Sequence, residues 1–317
     1  MANQLVKDIS ASERTYTPAD PALAEGLAYT NGEYVPIKEA GISLLDWGFS
    51  RSDAFQDTIS VWKGHFFRLD DHIQRFERSA SRLRMTPPPR QEIRGILNEL
   101  VALTGFRDAY IQFLMTRGVP PIGNRDIRNC VNRFYAYCIP YVWIATPEVQ
   151  ERGLQVHLSN RRRIPPVSVD PCVKHYHWLD FEMGLLDAYD SGAETVLVRD
   201  IDGGIAEGPG FNAFIVTGGE IVTPEPKYVL DGMTRRSVIE ILQEEKLPFA
   251  EQPIAVEEFK AADEVFLTST AGGILPVSNI DGQLVGDGKP GPTTKALRGK
   301  FWSKRENGWY ATPVTYR

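Results

Sequence analysis

Lys174 stands in Asp170-Pro-Cys-Val-Lys174-His-Tyr-His-Trp178, and Glu207 in Ala206-Glu207-Gly-Pro-Gly-Phe-Asn212. Among Val173, Tyr176 and Trp178, an apolar and aromatic neighbourhood would favour a neutral, nucleophilic amine able to form an imine with an aldehyde. Glu207 lies between two glycine turns, Gly203-Gly204 and Gly208-Pro-Gly210. A carboxylate there could hold a proton on the nitrogen of a bound heterocycle, and the protonated ring would then accept the electrons of a carbanion. Taken singly, the lysine reads as a surface residue and the glutamate as a turn carboxylate facing water. It is the pair that suggests chemistry.

Three further segments could bind phosphate. Leu230-Asp-Gly-Met233-Thr234 precedes an amphipathic stretch, so its N–H groups would sit at the positive end of a helix dipole; a threonine N-cap without a ligand is the plainer alternative. Ser269 and Thr270, in Thr268-Ser-Thr270-Ala271-Gly-Gly273, would add hydroxyl and backbone donors after a strand. Arg75, in Phe67-Arg-Leu-Asp-Asp-His72-Ile-Gln-Arg75, would add a guanidinium, unless it is a solvated helix arginine. An imine lysine, a carboxylate for a ring nitrogen and a phosphate anchor are together what pyridoxal 5'-phosphate asks of a protein. His175 and His177 lack accompanying ligands, so no metal is expected. Arg161-Arg-Arg163 reads as a solvated charge run.

Elements must position these residues. Residues 1–25 are polar and aperiodic and read as an arm. A small α+β domain is expected over 26–144. It holds a hairpin at Leu27–Pro36, a strand pair across Thr58–Phe67 turning at Lys63-Gly64, helices at Leu69–Met85 and Gln91–Thr104, and strands at Tyr110–Met115 and Phe134–Ile144 around a loop from Gly118 to Asn132. Residues 145–153 read as a linker, and 154–317 as a larger cofactor-binding domain of mixed strands and helices. Helices are expected there near Leu179–Tyr189 and Arg235–Glu245, with strands at Leu154–Leu158, Thr195–Val198, Ala213–Val216 and Glu264–Leu267.

The composition points the same way. With 317 residues, 42% of them hydrophobic and 24% charged, the chain suits a soluble globular protein of two ordinary domains or one large one. A formal charge of −6 disfavours nucleic acid and anionic membrane as partners and favours a small molecule. Cys130, Cys138 and Cys172 form no Cys-x-x-Cys pair, and no stretch reads as a signal peptide or a membrane span, so a cytoplasmic setting is expected.

The ordered motifs carry a family resemblance. Ala40-Gly-Ile-Ser-Leu-Leu-Asp46-Trp-Gly-Phe-Ser-Arg51-Ser-Asp53, the Arg75, Lys174 and Glu207 segments, Ala262-Asp-Glu-Val-Phe-Leu-Thr-Ser-Thr270 and Gly288-Lys-Pro-Gly-Pro-Thr-Thr-Lys295 resemble the fold type IV pyridoxal phosphate aminotransferases. The similarity runs from about Ala22 to Trp302 and looks closest to the (R)-selective amine transaminases. It implies an α+β, two-domain fold and a homodimer with active sites at the interface. It also implies that Lys174 is the Schiff-base lysine and Glu207 the ring-nitrogen partner. Arg75, Met233, Thr234, Ser269 and Thr270 would cradle the phosphate, with Leu230 and Trp178 beside the ring.

The substrate side departs from those relatives. Their first motif typically reads His-Ser-Asp-x-x-Tyr-Asp, where this chain has Arg51-Ser-Asp-Ala-Phe-Gln56-Asp57; their strand motif carries Glu where this chain has Gln112 after Tyr110. Arg51 and Gln56 would make the pocket more polar and cationic, or Arg51 would face a dimer interface. Arg125 and Arg128 occupy the loop that could meet a substrate carboxylate, and Ala271 borders the pocket. The expected reaction is ping-pong transfer of an amino group, from an amine or amino acid of (R) or D configuration, to a keto acid such as pyruvate. Branched-chain or D-amino acid transamination, a β-eliminating lyase and a catalytically silent cofactor binder are the alternatives.

Overall fold

The computed structural model describes residues 20–316, which divide into two compact units. One holds residues 20–142, Val173–His177 and 309–316; the other holds Trp143–Cys172 and Trp178–Gly308. Of the expected arm, residues 1–19 lie outside the described residues, and Pro21–Leu23 forms a 3-10 turn capped by Asp20.

The first unit contains β1 (Leu27–Thr30), β2 (Glu33–Pro36), α1 (Trp47–Ser50), β3 (Ala54–Trp62), β4 (His65–Phe67), α2 (Leu69–Arg82), α3 (Arg90–Thr104), β5 (Ala109–Val119) and β6 (Val131–Pro140). With a C-terminal strand, Ala311–Pro313, these form an antiparallel sheet ordered C-terminal strand, β4, β3, β5, β6, β1, β2. The pleat sorts the side chains by alternation. Phe55, Ile59 and Val61 of β3 and Ile111, Phe113 and Met115 of β5 form a core with Ile73 and Phe76 of α2 and Ile93, Leu97 and Leu100 of α3. The intervening residues, Gln56, Thr58, Tyr110 and Gln112, take the opposite face.

A charged cluster interrupts that core. Asp57 is buried, and its carboxylate accepts from Arg75 Nε and Arg75 Nη2, both at 2.8 Å, while His72 Nδ1 lies 2.7 Å away. Burial pushes the Asp57 carboxyl up, but Arg75 and His72 outweigh it and hold it well below the usual carboxylate range. Burial pushes His72 below the ordinary histidine value against the attraction of Asp57.

The second unit contains α4 (Pro147–Arg152), β7 (Leu154–Arg162), α5 (Leu179–Asp190), β8 (Thr195–Arg199), β9 (Glu207–Gly208), β10 (Phe211–Thr217), β11 (Glu220–Thr223), α6 (Met233–Glu244), β12 (Phe249–Glu251), α7 (Val256–Lys260), β13 (Glu264–Ser269), β14 (Gly273–Ile280), β15 (Gln283–Leu284) and α8 (Pro292–Glu306). Its sheet runs β12, β11, β10, β13, β14, β7, β8, with β9 on β10 and β15 on β14. Pairs β11–β12, β14–β7 and β7–β8 are parallel and the rest antiparallel. Leu154, Val156, Leu197, Ala213, Ile215, Leu267 and Leu275 pack one core.

The structure corrects several boundaries. The stretch expected as a linker, 145–153, carries α4, because Thr146 and Pro147 start a helix there. The strand expected over Phe134–Ile144 begins at Val131 and stops at Pro140. The hairpin loop is shorter than expected, since β5 runs on to Val119. Gly118 permits this at φ +89°, where a Cβ would lie 1.7 Å from Val131 O. The chain beyond Trp309 packs with the first unit through the strand Ala311–Pro313 on β4. Lys174 does so too, because Gln56 N–H donates to Lys174 O at 2.9 Å and Phe55 bridges His175.

Removing one partner of a buried pair leaves an uncompensated charge, so Asp57→Asn should lower unfolding free energy by about 3–5 kcal/mol in urea titrations. The histidine has its own signature. Its folded value is depressed, so below about pH 6.5 the unfolded chain takes a proton that the folded chain refuses, and stability falls with pH. The depressed Asp57 adds a second loss only below about pH 4. His72→Gln should flatten the urea midpoint between pH 7.5 and 5.5; an unchanged slope would show that His72 does not set it.

Candidate active site

Lys174 enters the first unit as a short insertion against β3. The Gln56–Lys174 backbone bond fixes its main chain, and the side chain is half-buried. Tyr176, two residues on, reaches β5: Gln112 Nε2 donates to Tyr176 Oη at 2.6 Å. Tyr137 Oη donates to Gln112 Oε1 at 3.0 Å, as the register Thr58–Gln112–Tyr137 across β3, β5 and β6 requires. Thr58 Oγ1 donates to Gln56 Oε1 at 2.9 Å. Burial raises Tyr110, and pushes Tyr137 and Tyr176 well above the ordinary tyrosine value, so all three stay protonated. Gln56, Tyr110 and Gln112 are thus gathered on one face of the sheet.

The three arginines expected near substrate stand differently. Arg51 is exposed at the end of α1, its guanidinium 3.5 Å from the centre of the Trp47 ring. Arg128 is exposed and clamped to Asp126. Arg125, also exposed, makes no ion pair or hydrogen bond among the described residues. Arg75 is buried in the first unit, with two of a guanidinium's five N–H donors spent on Asp57.

In the second unit, β9 and β10 place Glu207 opposite Asn212, and β10 and β13 place Asn212 opposite Thr268. Glu207 is buried; its Oε2 accepts from Leu230 N–H at 2.9 Å and from Asn212 Nδ2 at 3.4 Å, and its Oε1 lies 3.4 Å from Arg163 Nε. Asn212 Nδ2 also donates to Leu230 O at 3.0 Å, tying the Leu230 turn to the strand. Arg163 contradicts its reading as part of a solvated charge run. It is buried, it pairs with Asp180, and it covers the Phe181 ring at 4.1 Å, at a point just past β7 where its N–H donates to Arg199 O at 2.8 Å, while Arg161 meets Asp187. Trp178 stands half-buried beside α5, edge-on to Phe181 at 5.5 Å.

Gly232, not Thr234, is the N-cap of α6, and it brings no side-chain cap, so the N–H groups of the first turn, at Met233 and Thr234, meet no capping oxygen. A Cβ at Gly232 would lie 2.0 Å from Asn212 Oδ1. Met233 and Thr234 are buried, and Thr268 Oγ1 is buried without a hydrogen-bond partner. Ser269 Oγ spends its proton on Gly210 O at 2.8 Å and accepts from Ala271 N–H, so it braces a turn beside the half-buried Thr270. Ala271 is buried, and its carbonyl accepts from Ile144 N–H. Among the described residues, no group of three or more His, Cys, Asp or Glu side chains gathers as a metal would require.

Residues 54–280 match the family described as Amino-transferase class IV. The chain belongs to that family. A relative from Methanocaldococcus jannaschii, provisionally named a branched-chain-amino-acid aminotransferase, is 34% identical over 276 residues, covering 86% of this chain and 94% of that one. The D-alanine aminotransferase of Bacillus licheniformis is 30% identical over 272 residues, covering 84% and 93%. The crystal structure of the branched-chain amino acid aminotransferase from Thermobaculum terrenum, in its pyridoxal phosphate form, superposes with a TM-score of 0.82 at 26% identity, covering 92% of this chain and 99% of that one.

This class IV aminotransferase therefore has fold type IV and is a pyridoxal phosphate-dependent transaminase. Asn212 and Arg163, which hold Glu207, carry no mark in the sequence as its partners. Asn212 stands inside the Glu207 motif, but nothing in a run of three arginines distinguishes Arg163. Tyr137 and Tyr176 become visible only through strand register.

Overpacking costs about 1–3 kcal/mol. Gly232→Ala in this aminotransferase should cost at least that, because Asn212 must give way, and it should loosen cofactor retention in dialysis against buffer. A variant as stable and as yellow as the parent would contradict this account of the turn.

Proposed function

We propose that this chain transfers an amino group from an amino acid or related primary amine to a keto acid such as pyruvate, in two half-reactions. The observation that carries the reading is Glu207, a buried carboxylate aimed by Leu230 N–H, Asn212 and Arg163 and lying in the motif that resembles the ring-nitrogen partner.

Pyridoxal phosphate, when bound, supplies an aldehyde and an electron-withdrawing ring. The residues fit it. The α6 N-terminus has no side-chain cap, and the unpartnered Thr268 hydroxyl adds a donor, both suited to an anion. Met233, Thr234 and Thr270, with Arg75, would hold the phosphate. Leu230 and Trp178 would pack against the ring. Lys174 would bond the aldehyde carbon and, once displaced by the incoming amine, would hold and move the proton at the substrate carbon. Glu207 would accept the ring N–H.

The branched-chain and D-alanine aminotransferases among its relatives support amino acids as donors. The sequence resemblance to (R)-selective amine transaminases supports (R) or D configuration. Arg125, exposed and uncommitted, is a better partner than Arg128 for a substrate carboxylate. A homodimer is supported by exposed apolar side chains: Leu44, Leu45 and Phe49 in one segment, and Leu179, Met183 and Leu186 along α5. No described helix is long and apolar enough to cross a membrane, and Cys130, Cys138 and Cys172 form no disulfide among the described residues, which is compatible with a reducing, cytoplasmic setting.

The purified yellow protein should lose its cofactor absorption band on mixing with a D-amino acid or (R)-amine and form alanine from pyruvate. Bleaching only with L-amino acids would overturn the configuration, and no bleaching with any donor would overturn the transaminase cycle. Lys174→Ala should reduce turnover by at least about a thousandfold, as expected for a residue that acts as both nucleophile and proton carrier.

A further inference from the structure

On the polar face of the first unit's sheet, Thr58 gives its single hydroxyl proton to Gln56 Oε1. A separate ladder, Tyr137, Gln112 and Tyr176, contains two phenolic protons and one amide. An amide offers one oxygen to one tyrosine and one N–H to the other. Tyr137 spends its proton on Gln112 Oε1, while Tyr176 Oη receives an N–H and keeps its own proton. Turning the amide over exchanges the two tyrosines and leaves the count unchanged. A carboxylate at 112 would accept both protons.

We propose that this surplus phenolic proton, on Tyr176 or, with the amide turned, on Tyr137, is donated to the carboxylate of the substrate, making the Gln112 ladder a specificity element for α-amino and α-keto acids. This deepens the transaminase reading and rests on it. Two observations favour a substrate oxygen as acceptor. Tyr176 lies two residues from Lys174, whose backbone β3 holds. Tyr137, Gln112 and Tyr176 are each half-buried, so the ladder is not sealed within the unit. Gln112 is then a positioning residue: it does not touch the substrate but decides which tyrosine proton faces outward.

The test compares the intact holoprotein with Tyr137→Phe, Tyr176→Phe, Gln112→Glu and Gln112→Leu. Calorimetry measures binding of 4-methylpentanoate, an unreactive carboxylate, and steady-state kinetics measure KM and kcat for a keto acid. In either Tyr→Phe variant the remaining tyrosine can spend its proton on Gln112 Oε1; in Gln112→Glu both protons are consumed and a negative charge is added. All three should weaken carboxylate binding about 10- to 100-fold, the worth of one hydrogen bond to a charged group, and raise KM more than they lower kcat. Gln112→Leu frees both protons and should bind the carboxylate at least as well as the parent. If the ladder is merely structural, Gln112→Leu, which breaks both bonds, will be the weakest binder, and that ranking would overturn the proposal, as would unchanged binding in both Tyr→Phe variants. Absence of turnover in the parent would instead count against the transaminase cycle, and the calorimetric ranking would still decide this one.

Discussion

Strand β3 sends Gln56 and Asp57 to opposite faces of one sheet, and the rest of the first unit is organised around that alternation. On the inner face Asp57 neutralises Arg75 within an otherwise apolar core. On the outer face Gln56 accepts from the Thr58 hydroxyl. Between the faces, the Gln56 N–H reaches out of the sheet to Lys174 O. A one-residue slip would put the carboxylate among the tyrosines and the amide in the core, so the apolar residues flanking Asp57 also enforce the register of the site.

The second unit relies on backbone geometry. Glu207 is aimed by a main-chain N–H at Leu230, and the turn bearing Leu230 is tied back by Asn212. Asn212 in turn needs Gly232, because no Cβ can occupy that place. Arg163 completes the arrangement from β7. Polar groups buried in this way must be satisfied together, since an unmade bond costs about as much as a made one contributes. Asp231 fits the same turn by pairing with Arg236 at 2.6 Å.

Much of the framework was legible because period-two and period-3.6 patterns survive in single elements. The Leu27–Pro36 hairpin, the turn at Lys63-Gly64 and helices α2, α3 and α5 lie where the apolar spacing puts them. The segment around Glu207 was legible for a similar reason: glycine turns flank it, Gly203-Gly204 before and Gly208-Pro-Gly210 after. Arg163 was misread because exposure is not a local property. Arg163 follows the last residue of β7, and only the tertiary contact there, with its N–H donating to Arg199 O at 2.8 Å, shows that it is turned inward.

The sequence by itself determined the element types, the lysine and carboxylate, and a family resemblance that matches class IV aminotransferases over residues 54–280. Tertiary structure decided the rest. It placed Lys174 with the first unit although it lies far along the chain, because a backbone bond to β3 is indifferent to sequence separation. It set Arg51 over a Trp47 ring and Arg128 against Asp126. It also brought Tyr137 and Tyr176 to the two ends of one glutamine amide, 25 and 64 residues from it in sequence. Hydrogen bonds are counted between neighbours in space, so which tyrosine keeps its proton could be read only after the strands were in register.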